Sequence, residues 1–162
     1  MKKPTKDIFT IKEALQKLEH FCAYQERCHN EVVSKLYTLK MAPDEIDTIV
    51  VQLIEGNFLN ETRFACSFAR GKHRIKSWGK IRITNELKAR NISSTNINLA
   101  LKEISAEEYF ETFENLAQRC WNGLSENNNL KKRKKFCDYM LRRGYESNIV
   151  YEKAKELEQK KN

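Results

Sequence analysis

The feature that most constrains the fold is an apolar pattern that occurs three times along the chain. Adding 51 to the numbers of six apolar residues gives six further apolar residues, and adding 104 gives a third set. The three sets are Val32, Leu36, Met41, Ile46, Val50 and Leu53; Ile83, Leu87, Ile92, Ile97, Leu101 and Ile104; and Phe136, Met140, Tyr145, Val150, Ala154 and Leu157. A period of this length is typical of arrays whose small units bury their apolar faces against their neighbours.

Within each set the spacing predicts two helices joined by a short turn. Apolar residues lie four apart, then the pattern breaks, and then they lie three or four apart again. The breaks carry turn chemistry: Pro43 is followed by two carboxylates, Ser93 and Ser94 are candidate caps, and Gly144 is a candidate helix end.

A further amphipathic segment precedes each set and predicts a first helix in each unit. These segments run over Ile11 to Tyr24, Glu61 to Arg74 and Ala106 to Trp121. Thr10 with Glu13, and Ser105 with Glu108, have the spacing of capping boxes, and Asn60 is a candidate cap for the middle segment.

The predicted fold is therefore all-α, with about nine helices in three tandem three-helix repeats of helix-turn-helix-like form. The predicted repeats cover residues 1–57, 58–104 and 105–162. Only 5 Gly and 2 Pro leave too few turn residues for a protein of many short strands. The segment from Asp47 to Ile54 is rich enough in β-branched residues to form a strand, but its counterparts in the other repeats favour helix.

The charge balance indicates an affinity for polyanions. The chain has 30 Lys and Arg against 22 Asp and Glu, a net charge of +8. Basic residues are densest between Arg70 and Arg90, where Glu86 is the single acid. Acidic residues are concentrated instead in 43–61 and 103–115, so we expect a surface zoned by sign. The candidate contact residues for a partner or DNA are Arg70, Lys72, Arg74, Lys76, Lys80, Arg82, Lys132 and Arg133.

Two features near these residues have more than one interpretation. Trp78, beside Gly79, is either a stacking platform for a nucleic-acid base or, as we favour, a core residue at a close approach of helices. The polybasic run from Lys131 to Lys135 precedes apolar residues at helical spacing, so it begins a helix and is either a solvated face or a second contact patch.

No pattern typical of an enzyme or a metal site is present in the sequence. His20, Cys22, Cys28 and His29 lack the tight ligand pairs of structural zinc sites, and ordinary buried thiols are the simpler interpretation. Phosphate loops, nucleophile elbows and paired-histidine motifs are missing from the sequence, and His73 has no obvious carboxylate partner. We expect a regulatory or binding protein without catalytic residues, metal or cofactor.

Localisation follows from segments that the sequence lacks. No apolar stretch approaches the roughly 20 residues needed to span a bilayer, and no signal-like apolar region follows the Lys-rich beginning of the chain. Five Cys at irregular spacing fit reduced thiols better than a disulfide framework. We expect a cytoplasmic protein with no membrane partner.

A segment of the middle repeat resembles the signature of the RecX family of RecA modulators. The run Phe58-Leu-Asn-Glu-Thr-Arg-Phe-Ala65 is followed by Phe68 and a basic stretch, then by Trp78-Gly79-Lys-Ile-Arg-Ile83, Glu86-Leu87 and Ile92. Asn60 replaces the first acidic residue of the family, and Arg90-Asn91-Ile92 replaces the usual Lys-Gly-Ile. Asn caps helices as well as Asp does, and it is second to Gly in accepting a left-handed helix end, so neither departure threatens the fold.

The resemblance implies an elongated, curved array that binds the RecA filament on single-stranded DNA and restrains its recombinase and ATPase activity. The expected protein is a monomer whose partners are the RecA filament and single-stranded DNA, the latter contacted directly or through the filament. Two alternatives stay open: a nucleic-acid-binding helix-turn-helix module that does not act through RecA, and an adaptor for another protein.

Overall fold

A computed structural model describes residues 8–160, and within them the chain forms nine α-helices and no strand. The helices are α1 (Ile11–Tyr24), α2 (His29–Thr38), α3 (Pro43–Glu55), α4 (Glu61–Lys76), α5 (Lys80–Ala89), α6 (Ser94–Lys102), α7 (Ala106–Gly123), α8 (Asn129–Arg142) and α9 (Ser147–Gln159). The all-α prediction is confirmed, and the β-branched segment from Asp47 to Ile54 lies within α3.

Tandem helical repeats are confirmed by the burial of the repeated apolar positions. Every member of the three sets is buried except Leu101, which is half-buried beside the buried Ala100. The repeat boundaries at 57/58 and 104/105 stay a prediction, and the outer bounds at residues 1 and 162 lie outside the described residues. We use "first, middle and third repeat" as names for α1–α3, α4–α6 and α7–α9.

The same left-handed turn ends the second helix of each repeat. Lys40, Asn91 and Gly144 occupy equivalent positions and have φ angles of 59°, 58° and 96°. The next residue in each repeat donates its N–H to the carbonyl five residues earlier, at 3.1 to 3.3 Å. This Schellman-type ending stops the helix and turns the following apolar side chain into the core. The predicted helix end at Gly144 is confirmed.

Most of the predicted caps are formed. Thr10 and Glu13 make a reciprocal capping box at the start of α1, with bonds of 2.8 and 3.1 Å. Asn60 and Ser93 each accept from the backbone N–H three residues on, and Pro43 is the first residue of α3.

One predicted capping box is only half formed. The Ser105 hydroxyl accepts from the Glu108 N–H at 3.1 Å. The Glu108 carboxylate binds Arg74 instead of turning back to the Ser105 backbone, because a guanidinium is a stronger partner than a neutral amide.

The chain folds as two compact units divided between Phe64 and Ala65, a point inside α4. The first unit is centred on an apolar cluster from α1, α2 and α3, which includes Leu18, Leu36, Ile49 and Leu53. The second unit contains most of α4 and all of α5 to α9. A cluster centred on Phe113, Phe136, Met140 and Tyr145 packs α7, α8 and α9 together within it.

Candidate polyanion-binding surface

Six basic residues lie on or beside two segments that contact each other, the α4–α5 loop and the end of α8. The Lys72 Nζ and the Arg82 Cζ lie 5.0 and 4.1 Å from the centroid of the Trp78 ring. Arg143 donates to the Lys76 carbonyl at 2.8 Å, and Arg82 donates to the Arg142 carbonyl at 3.3 Å. We name the following six residues the cationic cluster: Lys72, Lys76, Lys80, Arg82, Arg142 and Arg143.

The cationic cluster has no acidic partners among residues 8–160. None of its six side chains forms an ion pair within that range. Cations on adjoining segments without counter-charges create a positive potential that attracts anions.

Three other cations of the predicted patch are paired with glutamates. Arg70 binds Glu103 at 3.1 Å, Arg74 binds Glu108 at 2.7 Å and Arg90 binds Glu86 at 2.9 Å. Arg74 and Glu108 show the effect on ionisation most clearly: their mutual hydrogen bond and attraction raise the pKa of Arg74 and lower that of Glu108. The structure therefore separates the predicted patch into paired and unpaired cations.

Trp78 is half-buried, so the expectation that it is a core residue is wrong. Its ring meets Phe68 edge-on, with centroids 6.3 Å apart, while Lys72 and Arg82 lie over it. A cation over an indole face gains about 0.5 to 2 kcal/mol, which offsets part of the repulsion between neighbouring positive charges. Trp78 thus holds basic side chains in place instead of filling the core.

Backbone contacts and a row of packed rings fix the loop that carries the cluster; the row consists of His73, Tyr109, Tyr145 and Phe113. The Gly79 N–H donates to the Arg143 carbonyl at 2.7 Å, and the Ile81 N–H donates to the Gly144 carbonyl at 3.0 Å. The Tyr145 hydroxyl donates to the Ser77 carbonyl at 2.8 Å. These bonds join the α4–α5 loop of the middle repeat to the third repeat.

His73 belongs to this row and is fully buried. Its Nδ1 lies 2.8 Å from the Trp78 carbonyl, and because a carbonyl only accepts, Nδ1 carries the proton. The His73 ring stacks on Tyr109, with centroids 5.4 Å apart. The Tyr109 hydroxyl accepts from the Lys80 N–H at 3.1 Å and donates to Glu146 at 2.8 Å. Sequence inspection found no partner for His73 because its partners are a carbonyl and a ring.

The polybasic run from Lys131 to Lys135 begins α8, as predicted, but it is mostly not a free positive surface. Lys132 is only 7% exposed, with its Nζ 4.4 Å from the centroid of the Trp121 ring. Arg133 pairs with Glu158 at 3.7 Å, Lys134 with Asp138 and Lys135 with Glu126. The expectation that Lys132 is exposed for binding is therefore corrected, because its aliphatic stem is used to cover the core.

The cysteines and acidic groups give no sign of a metal centre. Within the described part of the chain, no three His, Cys, Asp or Glu side chains are placed to hold a metal ion. Cys22 and Cys28 are buried, and burial raises the pKa of both thiols, as expected of ordinary core cysteines. Between residues 8 and 160 no helix is both long and apolar enough to span a membrane.

Two profiles of one protein family match this chain. The second three-helix domain of RecX matches residues 60–101, and the third three-helix domain of RecX matches residues 107–161, which together make up more than half of the chain. The chain belongs to the RecX family. The matches fall on the middle and third repeats, the part that carries the cationic cluster.

Curated RecX proteins resemble this chain over most of its length. Regulatory protein RecX of Oceanobacillus iheyensis is 23% identical over 87% of this chain and 52% of its own length. That of Clostridium acetobutylicum is 27% identical over 81% of this chain and 62% of its own length. The chain spans about half the length of the curated RecX proteins that it matches.

A solved RecX structure has the same fold. The crystal structure of RecX from Lactobacillus salivarius superposes with a TM-score of 0.77 at 24% identity, covering 92% of this chain and 97% of that one. This likeness supports the arrangement of tandem helical repeats.

The two asparagines at which this chain departs from the RecX signature both have structural roles. Asn60 caps α4, and Asn91 takes the left-handed conformation of the helix end, as expected for both residues. Arg63 closes the turn before α4: it donates to the Asn57 and Phe58 carbonyls at 2.9 and 3.2 Å and pairs with Glu26 at 2.6 Å.

Sequence inspection of this RecX chain missed Arg142 and Arg143. They lie 60 residues or more from the groups they contact, Arg82 and Lys76. The available signal was the basic last turn of α8 directly before Gly144, because cations are common at helix ends next to a left-handed glycine.

Proposed function

We propose that this RecX-family protein binds the RecA filament on single-stranded DNA and restrains its recombinase and ATPase activity. Through that contact it would act on DNA repair, recombination and the SOS response, in the cytoplasm, as a non-enzymatic regulator. The proposal is supported by family membership and by the name of the curated relatives, Regulatory protein RecX. Neither a cofactor nor a metal takes part in it.

The cationic cluster is the observation that carries the proposed contact. Its unpaired cations provide a surface for DNA phosphates or for an acidic protein face of the filament. Arg70, Arg74 and Arg133 act more weakly in this proposal because a glutamate already neutralises each of them.

A nucleic-acid-reading helix-turn-helix module fits less well. In such modules the second helix of the helix-turn-helix enters the major groove and needs cations on its surface. Here that helix is α3, α6 or α9: α3 has no Lys or Arg, α6 has only Lys102, and α9 has the buried Lys153 and a single exposed cation, Lys155. The cations lie instead on α4, α5 and α8, around a loop.

The test is RecA ATP hydrolysis on single-stranded DNA, measured with and without the protein at several salt concentrations. We expect the protein to slow hydrolysis and a Lys76→Ala, Arg142→Ala double variant to slow it less. Both side chains are exposed and neither forms an ion pair in the described chain, so their removal leaves the core intact.

The matched control is Lys88→Ala with Lys131→Ala, which removes the same two charges from exposed, unpaired positions outside the cluster. It should act like the parent protein. An unchanged rate of hydrolysis with the parent protein would overturn the RecA proposal. Equal losses in the two double variants would show that net charge, and not the cationic cluster, drives the effect.

A further inference from the structure

A groove between α7 and α9 is lined mainly by acidic and apolar residues. It has a volume of about 490 Å³ and is lined by Tyr109, Phe110, Phe113, Glu114, Glu146, Asn148, Ile149, Glu152, Lys153 and Glu156. Four of these residues are glutamates and only one is a lysine, on a chain whose net charge is +8. The groove is therefore an acidic zone on a basic protein.

The single lysine does not neutralise the groove. The Lys153 Nζ binds Glu114 at 2.5 Å and Glu156 at 3.2 Å, and it is buried between them. Lys160, outside the groove, also pairs with Glu156, at 2.7 Å, so two cations stand against the four glutamates. Glu146 accepts a hydrogen bond from the Tyr109 hydroxyl, a neutral donor. Glu152 is exposed and forms no ion pair with any residue in 8–160. A net negative charge is left for a ligand to meet.

The lining is also partly apolar. Phe110 is 63% exposed, although it is a large apolar side chain, and it lies beside the half-buried Ile149 and Tyr109. An exposed aromatic ring in a concave site rimmed by polar groups is typical of a surface that receives an apolar side chain.

We propose that the α7–α9 groove binds a basic, apolar segment of a partner protein. An apolar side chain of that segment would pack on Phe110 and Ile149, while flanking Lys or Arg residues would pair with Glu152 and Glu146, neither of which has a cationic partner among residues 8–160. Charge complementarity selects this occupant, because the same carboxylates repel DNA and acidic proteins. The groove therefore has the opposite preference to the cationic cluster, and the two surfaces take different partners.

The test uses a fluorescein-labelled synthetic peptide of about twelve residues in which pairs of leucine and arginine alternate, followed by fluorescence anisotropy. We expect binding with a dissociation constant of about 100 µM or tighter, weakened by added salt. Versions with glutamate in place of arginine, or glycine in place of leucine, should bind at least about tenfold more weakly, because each lacks one half of the complementarity.

Variants locate the binding site. Phe110→Ser with Glu152→Lys should weaken binding of the leucine–arginine peptide at least about tenfold. The matched control, Ile75→Ser with Glu55→Lys, makes the same chemical changes at an exposed apolar side chain and an exposed glutamate outside the groove, and should bind like the parent. Glu152→Gln, a milder change at an exposed position, tests the same contact if the double variant unfolds.

Equal affinity of the parent and the groove variants, or no binding of the leucine–arginine peptide at millimolar concentration, would overturn the proposal. None of these results depends on RecA, so they are independent of the proposed function.

Discussion

Gly79 and Gly144 lie against each other so closely that neither position has room for a side chain. A Cβ on Gly79 would lie 2.3 Å from the Gly144 carbonyl oxygen, and a Cβ on Gly144 would lie 2.3 Å from the Arg82 Cβ. The Gly79 N–H donates to the Arg143 carbonyl at 2.7 Å in the same contact. This backbone approach joins the middle repeat to the third and brings α5 and the end of α8, with their basic side chains, together.

Gly79→Ala is expected to destabilise the protein. The new methyl group would meet backbone atoms that cannot move aside, and overpacking of this kind costs about 1 to 3 kcal/mol. The measurement is the free energy of unfolding from urea titration followed by circular dichroism.

Gly71→Ala, inside helix α4, is the control, because a Cβ at this position would meet no atom within 4 Å. That change should stabilise the protein by about 0.5 to 1 kcal/mol, since alanine favours helix over glycine. Equal stabilities of the two variants would show that the glycine contact is not tight in solution.

Tyr109→Phe is expected to cost stability although it removes a single oxygen. The hydroxyl is the acceptor for the Lys80 N–H and the donor to Glu146, and the ring is stacked on His73. Its removal leaves a partly buried N–H without its partner, a loss of about 1 to 3 kcal/mol. The same urea titration measures it. Tyr151→Phe, at a 51% exposed position with no hydrogen bond of its side chain to any described residue, should change stability little. A loss of the same size in both variants would contradict the role of the Tyr109 hydroxyl.

Burial of Tyr109 and Tyr145 also predicts a dependence on alkaline pH. Burial is the main cause that raises the pKa of both phenols above the ordinary value. A phenol with a raised pKa in the folded state stabilises the fold fully below its unfolded pKa, near 10, and this stability is lost as the pH rises further. We therefore expect the tyrosinate absorbance of these two residues to appear together with unfolding, after the exposed tyrosines have titrated. Titration of all 6 Tyr as one smooth transition in a protein that stays folded would contradict this.

The helices were predictable because the apolar repeat records which residues must be buried, and local capping chemistry marks where several helices begin. Leu101 departs from the repeat since Ala100 takes the buried position next to it. The charged site was less predictable, because ion pairs depend on residues brought together by packing. Arg70 and Glu103 lie 33 residues apart, and nothing in either segment indicates that they meet.

The burial of long charged side chains is also hard to predict from residue type. Lys132 and Lys153 occupy positions that sequence patterns assign to the surface, yet both are buried because their aliphatic stems fill space while the ammonium group finds a ring or carboxylates. Trp78 shows the reverse, since an aromatic side chain expected in the core lies under basic groups at the surface. Hydrophobicity alone does not distinguish these cases.

Lys132→Met tests whether the polybasic start of α8 contacts anions through this residue. Methionine keeps the apolar stem on Trp121 and removes the charge, so we expect unchanged binding of a single-stranded thymidine oligonucleotide and a loss of stability below about 1.5 kcal/mol. Anisotropy of the labelled oligonucleotide measures the first and urea titration the second. Lys76→Met is the comparison, because Lys76 is exposed in the cationic cluster and its loss should weaken binding. Weaker binding by the Lys132 variant, with the fold intact, would return Lys132 to the contact surface.

Glu108→Gln should strengthen anion binding, because it releases a cation that the fold holds in a pair. Glu108 binds Arg74 at 2.7 Å, and among residues 8–160 it forms no ion pair with any other cation. The carboxylate, whose pKa is lowered by Arg74, contributes stability above its ordinary pKa, and this is lost as the pH falls through the lowered value. Neutralising it leaves Arg74 without its counter-charge on the helix that also carries Lys72 and Lys76, so the oligonucleotide should bind more tightly at low salt. The slope of log affinity against log salt concentration should steepen by up to about 0.7 if Arg74 then meets one phosphate.

The control is Glu107→Gln, one residue away, exposed and without an ion pair among the described residues. It removes the same charge and should increase affinity less. Equal gains in the two variants would mean that the carboxylates act only through the net charge, and that the pairing of Arg74 does not limit binding.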